Sequence, residues 1–221
     1  MVGQRIFVPS RGAADWQRLL AEPEKQWRTG YSARTLAECW QDHNGLPPEI
    51  AAVFPEEPAL LLAIPEYKVP LPGGRRESQS DVFALVRYGR QVSAVMVEGK
   101  VDEPFGPTLG EWLENASDGK KSRLTHICER LGLEGPLDPS IRYQLLHRTA
   151  AAVIEAERFN ATEAAMIVHS FSRTRAWHAD FDAFCALFSS TGEGAARVVA
   201  LPDGRRLRLA WAQGEDRYLG L

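Results

Sequence analysis

The chain has 221 residues and a formal net charge of -3, with 44% hydrophobic and 25% charged residues, the balance of a globular domain rather than of a disordered chain or of a protein that coats nucleic acid through bulk charge. A chain of this length is expected to form one domain and to bury about 70% of its unfolded surface. No apolar run approaches the roughly 20 residues of a membrane span, and the first ten residues lack the longer apolar core of a signal peptide, so a cytoplasmic location is expected.

Residues 5–9 read as a short strand or extended lead, and 13–20 as a brief helix closed by Pro23. Residues 1–30 are expected to be an N-terminal extension of the single domain. Ser32 is the expected N-cap of a helix over 33–43, with Leu36 and Trp40 four residues apart and Gly45 ending it. Glu38 on this helix stands four residues from Arg34, a spacing that suits a surface ion pair. Pro48, tolerated in a first turn, opens a second short helix to about residue 54. The apolar segment 59–69 is interrupted by Pro65, so 60–64 reads as a helix end or buried segment and 66–71 as the first strand. Residues 72–76, P-G-G-R-R, form a turn or loop.

Two β-branched and aliphatic runs, 81–88 and 91–101, flank Gly89-Arg90, and glycine at the first central position suits a two-residue type II′ hairpin turn. That turn sets Tyr88 opposite Gln91, and each step away pairs the next two residues. Phe83 then meets Met96, and Asp81 meets Glu98. Side chains two apart share a face of a strand, so Lys100 joins Glu98 beside Gln79 and Asp81. Two carboxylates directly opposite destabilise a sheet unless something offsets them. A hard divalent cation does so, taking one or two carboxylates with waters and phosphate oxygens. A Lys100 salt bridge to either acid, with the hairpin ending in solvent, is the other reading.

Beyond the hairpin, two prolines and a glycine impose a loop after Val101, and Thr108 caps a short helix to residue 113. A helix over 117–131 carries Leu124, Ile127, Cys128 and Leu131 on one face and ends at Gly132. The longest helix signal covers 141–159, with Leu145, Ala152 and Ile154 toward a core and Arg142, Arg148 and Glu155 outward. A buried strand over 164–171, a helix over 180–188 and a hairpin of 196–201 with 206–211 complete the chain, residues 190–221 being expected as a C-terminal extension. Three basic runs, Arg75-Arg76, Lys120-Lys121-Ser122-Arg123 and Arg205-Arg206-Leu207-Arg208, are candidates for a nucleic-acid groove or for solvated faces. Cys39, Cys128 and Cys185 are scattered outside any C-x-x-C spacing and read as reduced thiols. No glycine-rich phosphate loop, G-x-S-x-G or paired-histidine spacing is present, which excludes P-loop enzymes, the usual serine hydrolases and zinc peptidases.

Asp81 followed after a hairpin by Glu98-Gly99-Lys100 resembles the signature of the PD-(D/E)XK nuclease superfamily, with Ser80 in place of the proline of its name. The words G-Y-S-A-R-T-L-A-E-C-W and V-E-G-K-V-D-E-P-F-G resemble a poorly characterised bacterial branch of it, and the likeness extends from about Trp27 to Ser172. The resemblance implies an α/β, restriction-endonuclease-like three-layer sandwich with a mixed central sheet between helices. It implies Mg²⁺ or Mn²⁺ held by Asp81, Glu98 and the carbonyl of Gly99, with Lys100 orienting or deprotonating the attacking water. Glu38 and Gln144 are implied as accessory residues, with His147 and Arg148 beside Gln144 also placed to reach a substrate, and nucleic acid is implied as the substrate. A catalytically silent version of the fold, acting as a binding protein, is the alternative that the acidic net charge favours.

Overall fold

The computed structural model describes residues 12–43, 45–189, 191–193 and 196–220; the lead expected over 5–9 lies outside the described residues. Seven strands form one mixed sheet in the order β1-β2-β3-β4-β7-β6-β5, made of β1 (Pro58–Val69), β2 (Ser78–Tyr88), β3 (Gln91–Lys100), β4 (Glu163–Ser170), β5 (Thr191–Glu193), β6 (Ala196–Ala200) and β7 (Arg206–Gln213). On one face lie α5 (Asp118–Leu131), α6 (Tyr143–Arg158) and α7 (His178–Cys185). The other carries a 3₁₀ segment (Ala13–Leu19), α2 (Ser32–His43), the short α3 (Pro48–Ala51) and a second 3₁₀ segment (Asp216–Gly220). The two remaining helices, α1 (Pro23–Gln26) and α4 (Leu109–Leu113), are single turns. This is the expected α/β three-layer sandwich.

The β2–β3 hairpin takes the register its turn dictates, from Tyr88 opposite Gln91 to Val82 opposite Val97. Gly89 has φ 51 and Arg90 has no positive φ, the sign pattern of a type II′ turn. Alternation then splits the strand between two cores. Phe83, Leu85, Ala94 and Met96 pack toward α6, while Val82, Ala84, Val86, Val95 and Val97 pack toward α2. Beyond β3 the chain crosses over through α5 and α6 and returns as β4, parallel to β3, and β7 runs parallel to β4. The carboxyl ends of β3, β4 and β7 therefore open on one side of the sheet, where ligands of open α/β sheets bind.

Several expectations need correction. The break placed at Pro65 does not exist: β1 is continuous from Pro58 to Val69. Among the described residues it is the terminal strand of the sheet, where a residue without an N–H is tolerated. The C-terminal hairpin is no extension, since β7 pairs with β4 along its whole length and buries Leu207 and Leu209; nor is the described part of the first thirty residues, because Trp16 is 2% exposed in the α2-side core. Arg148 and Glu155 do not face outward; both are buried, because α6 is covered on several sides and buries 11 of its 16 residues. Two of the three basic runs each place one arginine inside the fold, while Lys121 and Arg206 keep solvent exposure. Arg123 donates to the carbonyls of Leu71 and Pro72, and Arg208 forms a bidentate pair with Glu163 at 3.0 and 3.1 Å in which both residues are buried.

Candidate active site at the end of the central hairpin

The ladder between β2 and β3 stops one pair short of Asp81 and Glu98. Where the next pair would form, Asp81 Oδ2 accepts the N–H of Gly99 at 2.7 Å, so a side chain takes the place of a backbone partner. Gly99 allows this approach. A Cβ there would lie 3.2 Å from Leu36 Cδ2 and 3.3 Å from Asp81 Oδ2. The strand parity places Asp81, Glu98 and Lys100 on the α6 side of the sheet, as the sequence implied.

Glu98 is 3% exposed and both of its oxygens accept hydrogen bonds. Its Oε1 accepts from Lys100 Nζ at 3.0 Å and from Gln144 Nε2 at 2.6 Å, and its Oε2 accepts from Arg148 Nε at 2.8 Å. Gln144 and Arg148, one turn apart on α6, thus reach the same carboxylate. Arg148 is itself held from behind, since its Nη1 donates to Ser78 Oγ at 3.3 Å, and Ser78 Oγ lies 2.8 Å from His147 Nδ1. Burial alone raises the pKa of Glu98, but the charges of Lys100 and Arg148 outweigh it and hold the carboxyl down at about 2.

A third carboxylate, which the spacing arguments did not find, completes the cluster. Glu66 in β1 has φ 51, a left-handed conformation that costs a non-glycine residue of order 1–3 kcal/mol. Its Oε2 accepts from Gln79 Nε2 at 2.7 Å. Burial, and then the charge of Asp81, push the Glu66 carboxyl up to about 9, while burial, and then the charge of Glu98, push Asp81 up to about 7. An acid straight after a proline in an apolar run was the only trace of this residue in the sequence.

These groups form the floor of a cavity of about 440 Å³. Its roof is Leu20, Lys25 and Gln26 with Tyr31 and Ser32. The roof is tied down, because Glu103 accepts from Ser32 N at 2.8 Å through one oxygen and from Val101 N at 2.9 Å through the other. Glu38 is not part of this cavity. It stands 4.0 Å from Arg34 and lines a separate depression with Asp42 and Tyr218.

A second cluster, Cys39, Glu49 and His169, has the residue types of a metal site. The Trp40 indole, a donor only, donates to His169 Nδ1 at 3.4 Å, so the imidazole proton sits on Nε2 and is donated to Glu49 at 2.7 Å. Burial, the larger effect, keeps His169 neutral and pushes the Cys39 thiol up. The group is a hydrogen-bonded network between α2, α3 and β4. The three cysteines are free.

Fold and site define an α/β sandwich with a cleft in which buried carboxylates meet a lysine and an arginine. The chain belongs to the DUF6946 family, a domain of unknown function whose model matches residues 9–216. No curated protein and no solved structure matches the chain. Among the described residues no helix is long and apolar enough to cross a membrane.

Proposed function

We propose that the protein is a Mg²⁺- or Mn²⁺-dependent phosphodiesterase acting on nucleic acid. The observation that carries this reading is the convergence of Asp81, Glu98 and Lys100 on one cavity at the carboxyl end of β3. The order helix, strand, hairpin, helices, strand accords with the PD-(D/E)XK resemblance. The residues present fit a divalent cation: Glu66, Asp81 and Glu98 face the same cavity, where the charge of Asp81 raises the pKa of Glu66 and that of Glu98 raises Asp81, a repulsion that a hard cation relieves. Glu66 and Asp81, with Glu98, would hold it. Bound there, such an ion supplies Lewis-acid stabilisation of the phosphoryl oxygens.

The chain's own groups have distinct tasks in this reading. Lys100 Nζ, held by Glu98, orients the attacking water and stabilises negative charge growing on the phosphoryl group, which a low-dielectric site makes more effective. Arg148 and Gln144 fix the Glu98 carboxylate. Gln144 Oε1 is buried with no hydrogen-bond partner and lines the cavity, an acceptor left for a ligand.

A catalytically silent binding protein is the second reading, favoured by the engagement of both Glu98 oxygens within the chain. Purified protein incubated with DNA and RNA substrates in Mg²⁺, Mn²⁺ or EDTA separates the two. Metal-dependent cleavage that Lys100→Ala abolishes supports the enzyme; no cleavage by the wild type, with no heat of ion binding by calorimetry, refutes it.

A further inference from the structure

The cavity limits what can reach the carboxylates. Its volume is about 440 Å³, and residues of the N-terminal segment, Leu20, Lys25, Gln26, Tyr31 and Ser32, share its lining with the carboxylates. The roof over it does not swing free. Trp16 and Leu20 are buried, Trp27 packs on the α2-side core, and Glu103 holds Ser32 to the end of β3. The volume lies near the lower end of the roughly 300–1,000 Å³ of small-molecule pockets, room for one nucleotide unit at a time.

The rim carries a group suited to such a unit. Tyr31 is 42% exposed and belongs both to this cavity and to a neighbouring depression of about 300 Å³. The guanidinium of the exposed Arg28 lies over its ring, 5.8 Å from the centroid. An aromatic face beside a cation is the platform on which proteins stack successive bases of a single strand. Lys25, also exposed, stands at the same roof. A local cationic rim of this kind needs no basic stripe across the molecule, in keeping with a net charge of -3.

We propose that the cavity takes a single strand of nucleic acid, one nucleotide at the carboxylates and its neighbour stacked on Tyr31, and excludes the intact double helix. This rests on the phosphodiesterase reading. A base flipped out of a duplex reaches the same place only after the cost of unstacking it.

The test uses the full chain and fluorescein-labelled oligothymidylate and oligouridylate, alone and paired with their complements. Anisotropy in EDTA and in Ca²⁺ gives affinities, and gels in Mg²⁺ and Mn²⁺ give cleavage of the same molecules. Single strands are expected to bind more tightly than duplexes and to be cut faster. Tyr31→Ala should weaken single-strand binding about 5- to 150-fold, the worth of one base–aromatic stack, with Tyr31→Trp retaining it; circular dichroism checks the fold of both. Duplexes bound more tightly and cut faster than single strands overturn the inference and leave the phosphodiesterase reading standing. Single-strand binding untouched by Tyr31→Ala also overturns it. Neither binding nor cleavage of any of these molecules overturns both.

Discussion

Replacing Asp81 with asparagine keeps an oxygen to accept the Gly99 N–H and removes one charge from a cluster of three carboxylates. The Asp81 carboxyl sits at about 7 in the folded chain against an ordinary value of 3.8. Between those values the native state holds a proton that the unfolded state has released, so stability present at low pH is lost as pH rises through 7. At ~1.36 kcal/mol for each step of one in pH between 3.8 and about 7, the wild type gives up at most about 4 kcal/mol through this group by pH 8. The variant gives up none of it. Glu66 adds loss of the same sign up to about 9 in the wild type, and less in the variant, because the charge of Asp81 is second only to burial among the causes of its shift. Urea unfolding of both proteins in EDTA across this range measures the difference, provided the slopes agree. The variant should gain on the wild type from acid to alkaline pH. A difference that stays constant with pH refutes the reasoning. Mn²⁺ at the alkaline end should then restore the wild type, by about 2.7 kcal/mol at a hundred times Kd, and the variant less.

Lys100→Ala should lower metal-dependent cleavage by about 10²–10⁴-fold, while calorimetry still detects ion binding because the carboxylates remain. Arg148→Met leaves Glu98 short of one cation and should cost about 3–5 kcal/mol in urea melts. The pKa of Glu98 is held at about 2 against an ordinary 4.5, which contributes stability above 4.5 that is lost as pH falls toward 2; the Arg148 variant should therefore unfold at higher pH on acid titration. Glu163→Gln strands Arg208 at the opposite end of β4, and a loss of about 3–5 kcal/mol with unchanged ion binding in the cleft would show that the two buried charge clusters are independent.

The hairpin was legible because two simple rules govern it. A glycine turn sets the register, and a period of two sorts side chains between faces, so Asp81, Glu98 and Lys100 could be assigned to one side from the sequence. The first strand was hidden by Pro65, which reads as a break until the strand is known to be terminal in the sheet. Glu66 had no periodic signature, since its left-handed backbone follows no strand rule. Arg148 and Glu155 were assigned outward on the premise that charged residues mark the wet side of a helix. For Arg148 the sequence supports a second reading, in which it reaches a substrate with Gln144 and His147, and the Glu98 carboxylate draws it inward. The basic runs read as a groove or as solvated faces because composition counts charges, and only the packing shows that Arg208 pairs with Glu163 and that Arg123 is held by the Leu71 and Pro72 carbonyls.

β1 begins with Pro58 and carries a bulge between Leu60 and Leu62, Pro65 and the left-handed Glu66. It also contains five consecutive apolar residues, 60–64, with Leu61 40% exposed. A straight strand of that composition at the border of a sheet is a template on which a second molecule can add its own strand, the first step of aggregation. The two prolines offer no N–H to such a visitor, and the bulge and the kink spoil the spacing of the remaining groups. The irregularity that turns a carboxylate toward the cavity therefore also keeps the molecule from polymerising through its most apolar margin.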